Sequence, residues 1–191
     1  LGMPAKWPTS PGLDELHLEP RIDWAGGIRE AWDFGEQGAK KQLEVFLRKG
    51  ISRYDQNRDF PGIQGVSRLS PYLHHGEISP RQVWYAVKAT PHTGEGYLRQ
   101  LVWREFAHHL LHHYPETIHE PLHPGFRAFP WKRNRNWLKT WQKGRTGYPI
   151  VDAGMRELWA TGWMHNRVRM VVASFLVKDL LIPWQEGAKW F

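Results

Sequence analysis

Cysteine is absent from the 191 residues, which excludes a disulfide framework and every cysteine-ligated zinc site. The redox compartment stays open on that ground, and with no signal peptide visible a cytoplasmic location is the expectation. Long hydrophobic runs are also scarce. The longest, Met164 to Ile182, is interrupted by Arg167, Arg169, Lys178 and Asp179, so it reads as a buried helix in a soluble protein rather than a membrane span. Acidic residues are outnumbered, 19 Asp and Glu against 26 Lys and Arg, for a net charge of +7. That balance suits nucleic acid, acidic lipid or a phosphate-bearing cofactor as partner. Alternating strand patterns and internal repeats are both missing, which leaves an all-α fold of one domain as the expected architecture.

Tryptophan is abundant instead, at 12 residues. Large aromatics serve as core filler, interface anchors or stacking surfaces, and a row of indoles can also pass an electron by successive hops. Core filler accounts for most of them.

Residues 1–34 are rich in Pro, Gly and Trp with no sustained period and read as an irregular linker wrapped over a surface. Residues 35–191 read as a helical domain. Leu43, Phe46, Leu47 and Ile51 give 39–54 a helical spacing. Ser79, Pro80 and Gln82 spell a helix start with a capping box. Further helices are expected over about 93–114, 134–143, 149–160 and 164–182.

The most informative stretch is 144–179, GRTGYPIVDAGMRELWATGWMHNRVRMVVASFLVKD. His165, Asn166, Arg167 and Arg169 crowd the first turns of an apolar helix, where the helix dipole disfavours positive charge. Carboxylates elsewhere in the fold would offset them, and so would phosphate. Gln64 to Pro71, QGVSRLSP, offers a glycine turn, two hydroxyls and a guanidinium before a helix, with Ser70 placed as N-cap and Pro71 at N1. Its amides and Arg68 suit a diphosphate, although a Ser-Pro helix start occurs in many folds. The pairs His108/His112 and His109/His113 have metal-ligand spacing. With Leu98, Leu101, Val102, Phe106, Leu110 and Leu111 on the apolar side, however, these histidines are expected to form a solvated basic ridge, and no metal is expected.

These segments resemble the flavin-binding domain of the DNA photolyase and cryptochrome family, whose sequences carry TGYPIVDAAMR, then TGWMHNRLRM, then SFLVKDL. The likeness runs from about Gly35 to the end of the chain. It implies a helical FAD-binding domain. The family's complete polypeptide has an α/β antenna domain before this point and further helices after it, including two aspartates beside the flavin and an innermost tryptophan. Relative to that pattern the chain is expected to hold FAD weakly or not at all by itself, to bind no antenna chromophore, and to self-associate through an uncovered apolar face.

Residue by residue, the resemblance implies that Val66, Ser67, Arg68, Leu69 and Ser70, matching the family's QGTSRLS, contact the FAD diphosphate together with Tyr54 and Arg104. Val66 replaces the usual threonine, losing a hydroxyl but no backbone donor. Asn166 matches the amide at flavin N5, able to accept from or donate to different redox states. Arg169 matches an arginine that touches the isoalloxazine, and Trp163 lies near the adenine. Trp103 and Met170 match residues that sandwich an extruded pyrimidine dimer in damaged DNA, with Arg58, His165 and Arg167 near phosphates or the lesion. Trp131 and Trp184 match the outer and middle members of a tryptophan electron relay, whereas Trp141 and Trp159 read as packing.

Gln100 departs from the pattern. Photolyases for cyclobutane dimers usually carry a glutamate there, while (6-4) photolyases and animal-type cryptochromes carry glutamine. MHNRVRM favours the cyclobutane class, because those relatives have paired histidines where this chain has His165-Asn166. The longer match carries more weight, so the implied function is light-driven, FAD-dependent repair of cyclobutane pyrimidine dimers. The alternative is a cryptochrome-type blue-light sensor without repair activity.

Overall fold

The capping box at Ser79 shows how directly the helix starts follow from local chemistry. The Ser79 hydroxyl accepts from the Gln82 amide at 3.1 Å, and the Gln82 side chain accepts from the Ser79 amide at 2.8 Å. In a computed structural model describing residues 10–18 and 22–191, helices connected by turns make up the molecule, and no strand occurs among the described residues. In chain order they are α1 (Gly26–Ala31), α2 (Gly35–Lys49), α3 (Tyr54–Asn57), α4 (Ser70–His75), α5 (Pro80–Lys88), α6 (Glu95–His113), α7 (Arg135–Gln142), α8 (Pro149–Thr161), α9 (Asn166–Ser174) and α10 (Trp184–Ala188). The all-α expectation holds. None of the described helices is long and apolar enough to cross a membrane.

Three expectations need correction. The helix expected over 164–182 is α-helical only to Ser174; Phe175–Asp179 forms a π-helical turn, and Leu181 then takes φ +55°. That turn swings Ile182 back into the core while the Leu181 carbonyl accepts from the Lys132 amide at 2.7 Å. Ser70 is not an N-cap: α4 starts at Ser70, the preceding Leu69 is already helical, and no side chain caps it. The hydroxyl that serves this start is Ser67, which accepts from the Leu69 amide at 3.3 Å. On α6 only Leu98 and Leu101 of the expected apolar side are buried, whereas Val102, Phe106 and Leu111 are exposed. The helix outruns the core that covers its first half.

Within the segment expected to be irregular, residues 1–9 and 19–21 lie outside the described residues. Gly26–Ala31, however, forms α1, which packs against the end of α8 so closely that a Cβ on Gly27 would lie 2.2 Å from the Ala160 carbonyl oxygen.

Two apolar cores result. One gathers Leu43, Phe46, Tyr54, Leu69, Val83, Val87, Tyr97 and Leu98 from α2 to α6. The other gathers Trp141, Val151, Met155, Val168, Val172, Leu176 and Ile182 from α7 to the π-turn. In the second, Gly154 lets α8 and α9 touch, since a Cβ there would stand 2.4 Å from a Val168 methyl. Trp141 is fully buried and donates its indole N–H to the Val172 carbonyl at 3.1 Å. The contacts joining the two cores are largely polar or aromatic, and the residues of interest sit among them.

Candidate cofactor and nucleic-acid site

Arg68 is the centre of the junction. Its backbone is left-handed, φ +54°, a region that costs a non-glycine residue free energy. This conformation sends the guanidinium between two indoles, with its carbon 4.8 Å from the Trp32 ring centre and 4.6 Å from that of Trp163. Each face therefore makes a cation–π contact. Arg68 Nε is buried and meets no hydrogen-bond partner, so a donor that water cannot reach is left over.

The neighbours are held rigidly. Gln42 donates to the Ser67 carbonyl at 2.8 Å, and the Tyr97 hydroxyl donates to the Ser67 hydroxyl at 3.1 Å. Burial pushes the Tyr97 phenol up to about 12, so it stays a donor at any physiological pH. Tyr97 packs edge-on to Tyr54 at 5.2 Å, and the Arg58 guanidinium lies 5.3 Å from the Tyr54 ring centre. Tyr54 is likewise pushed up, mainly by burial. Val66 is half-buried against the first core, Leu69 is fully buried, and Ser70 is exposed.

From Trp163 the chain runs into His165, whose ring meets the indole edge-on at 6.2 Å. His165 is buried, and burial lowers its basicity. Nδ1 accepts from the Arg167 amide at 3.2 Å, which places the proton of the neutral ring on the buried Nε2, and the Arg58 backbone beside the ring supports that proton. Next to it, Arg167 donates from Nε to Asp59 at 2.7 Å and from Nη1 to the Met170 sulfur at 3.6 Å. Asn166 is exposed and points its amide at the same sulfur, 4.0 Å away.

Tyr54, Arg58, Ser67, Arg68, Trp163, His165, Asn166, Arg167 and Met170 thus form one connected chain of contacts across the junction. Other expected residues stand apart. Arg104 bonds Glu105 at 2.7 Å and the Leu73 carbonyl on α4 at 3.3 Å. Half-buried Gln100 donates to the Gly96 carbonyl one turn back at 3.2 Å. Trp103 is 59% exposed and touches Phe106. Arg169 turns to the second core, its guanidinium 4.8 Å from the Phe191 ring, and burial lowers its basicity. Trp131 and Trp184 line a common cleft of about 1210 Å³. Trp159, expected as packing, is 74% exposed and stacks on Trp190 at 5.8 Å, whereas Trp141 is packing as expected. The α6 histidines are exposed, and among the described residues no group of three or more His, Cys, Asp or Glu is placed to hold a metal.

Trp32, Gln42, Asp59 and Tyr97 were not singled out from the sequence. Only Asp59 carried a local signal, an acid flanking Arg58 in a basic protein. The others reach Ser67 and Arg68 through tertiary packing.

A buried cationic N–H donor without a partner, clasped by indoles, fits a ligand that is both aromatic and anionic, such as a dinucleotide. Comparison with known proteins points the same way. Residues 97–191 match the family model described as the FAD binding domain of DNA photolyase. The chain is 46% identical, over its whole length, to 41% of the deoxyribodipyrimidine photo-lyase of Agrobacterium fabrum. It is 41% identical, over 98% of its length, to 32% of cryptochrome-2 of Arabidopsis thaliana. Among solved structures, a bacterial class III photolyase from Agrobacterium tumefaciens superposes with a TM-score of 0.93 at 46% identity, covering all of this chain and 41% of that one. The chain therefore spans about two fifths of the length of the photo-lyase it matches.

Proposed function

We propose, from the premise that this chain belongs to the DNA photolyase and cryptochrome family, that it forms part of the catalytic domain of a deoxyribodipyrimidine photo-lyase. The reaction is light-driven, FAD-dependent repair of cyclobutane pyrimidine dimers. The observation that carries the reading is the cationic junction at Arg68, Trp32 and Trp163 with the unpartnered Arg68 Nε. Bound reduced flavin supplies the excited electron that splits the dimer.

The chain's own residues bind and orient. Ser67, Arg68, Leu69, Ser70 and the Val66 backbone would hold the diphosphate with Tyr54 and Arg104, Trp163 would lie near the adenine, and Asn166 and Arg169 would contact the isoalloxazine. On the DNA side, Trp103 and Met170 are both more than half exposed and would flank an everted pyrimidine dimer. Extrusion costs least for a damaged pair, and stacking on Trp103 returns about 1 to 3 kcal/mol per base. Gln100 donates to a pyrimidine carbonyl, and Arg58, His165 and Arg167 line the approach.

Gln100 also favours the second reading, a blue-light sensor of cryptochrome type, because an amide cannot deliver the carboxylic proton that a glutamate would. Illumination of the complete protein with a dimer-containing oligonucleotide separates the two. Recovery of monomeric pyrimidines in proportion to light dose is the expected result, and a flavin-loaded protein that recovers none refutes repair.

A further inference from the structure

Asp59 is the acid that touches both Arg58 and Arg167, two of the cations that face DNA in this reading. It accepts from Arg167 Nε at 2.7 Å and lies 3.5 Å from Arg58 Nε. The Arg167 contact is at the surface, with Asp59 48% and Arg167 41% exposed, so that pair adds little to folding stability, while Arg58 is more covered at 21%. Asp59 follows the short α3 in a surface turn, beside the exposed Phe60 and Ile63. Its carboxylate occupies the bonding directions that a phosphate oxygen would take on the same guanidinium groups. The Arg167 guanidinium in turn holds the thioether of Met170, beside which a lesion would stack.

We propose that Asp59 is a specificity-determining residue, an internal stand-in for phosphate that occupies Arg167 and Arg58 until a distorted, lesion-bearing strand displaces it. The inference rests on the DNA-repair reading above. With Asp59 in place the cluster carries one net positive charge; without it, two. An undeformed duplex gains too few contacts to displace the carboxylate, so the cluster contributes little to non-specific affinity. An everted lesion brings its own phosphates and a stacking surface to Met170 and exchanges for Asp59 at once. The carboxylate thereby withholds electrostatic affinity from undamaged DNA, which carries no information about damage.

The test is Asp59→Asn in the complete protein, with dissociation constants measured in the dark for undamaged and dimer-containing duplexes across a salt series. The expected result is tighter binding of undamaged DNA at low salt and a smaller ratio of damaged to undamaged affinity. One added phosphate contact steepens the log–log salt slope by about 0.9, so the gain shrinks about threefold between about 50 and 200 mM salt. Asp59→Glu keeps the charge and should stay close to wild type. Undamaged DNA bound no more tightly by Asp59→Asn, or salt slopes that run parallel, overturns the proposal, as does loss of affinity for both duplexes, which would mark Asp59 as an aid to Arg167 only. A wild-type protein that fails to discriminate the duplexes refutes the repair reading instead, and the Asp59→Asn comparison on undamaged DNA still reports the charge effect.

Discussion

Replacing Arg68 by alanine and by glycine separates what its side chain does from what its backbone costs. Both substitutions delete the guanidinium, and with it two cation–π contacts at 4.8 and 4.6 Å, each contributing about 0.5 to 2 kcal/mol. Both also delete a buried nitrogen that has no partner, which offsets part of that loss. These terms are the same in the two variants, so their difference isolates the backbone at φ +54°. The left-handed region costs alanine about 1 to 2 kcal/mol, and glycine avoids it at the expense of about 0.5 to 1 kcal/mol of chain entropy. Arg68→Gly should therefore be the more stable variant by up to about 1 kcal/mol, a Tm difference of about 2 to 4 °C in a chain of this size. Thermal unfolding followed by far-UV circular dichroism reads it. A glycine variant no more stable than the alanine variant refutes the claim that strain is stored at Arg68. Both variants of the complete protein should lose flavin on gel filtration, and full retention by either removes Arg68 from the binding set.

Trp103→Ala should leave the melting temperature within a degree or two, given its exposure, yet weaken binding of dimer-containing DNA by about 1 to 3 kcal/mol in a fluorescence-anisotropy titration. Gly154→Ala forces a methyl against Val168 and should cost about 1 to 3 kcal/mol in urea unfolding. Asp152 accepts from the Thr146 amide and hydroxyl at 2.7 Å each and from the Gly147 amide at 2.9 Å. Burial raises its affinity for a proton, but these bonds outweigh burial and leave the carboxyl below its ordinary value. With the folded value below the unfolded one, the contribution is fully present above the ordinary carboxylate range and fades as pH falls through the lowered folded value. Asp152→Asn should flatten that acid limb and cost about 1 to 3 kcal/mol at neutral pH through unsatisfied amides, as urea titrations at several pH values would show.

Helix starts were legible because they are local. The Ser79 box and Asn134 before α7 each satisfy helix-start amides within three residues, and Pro149 at the head of α8 has no amide hydrogen to satisfy. The end of α9 was not legible, since a run of apolar residues looks the same whether the ladder continues or slips into the turn at Phe175–Asp179. The same limit explains Ser70, where composition suggested a cap and Ser67 supplied the hydroxyl instead. At the candidate site the cations were visible as motifs, but their partners were not. Trp32 meets Arg68 across 36 positions of sequence, and its indole donates to the Thr161 carbonyl 129 positions away. Such pairings arise from how α1 leans on α8 and leave no periodic trace. The packing of Arg169 against Phe191 likewise left no sign in the sequence, being a property of the second core.

The division of the apolar interior has a consequence for assembly. Each half has its own oily centre, while the boundary between them holds an arginine wedged between rings, a few polar ties and the packing of α1 on α8. The flat, doubly charged cofactor proposed for that boundary would work as a keystone, because its affinity for the closed arrangement would add directly to the cohesion of the two halves. Loading with cofactor and maturation of the polypeptide would then become the same event.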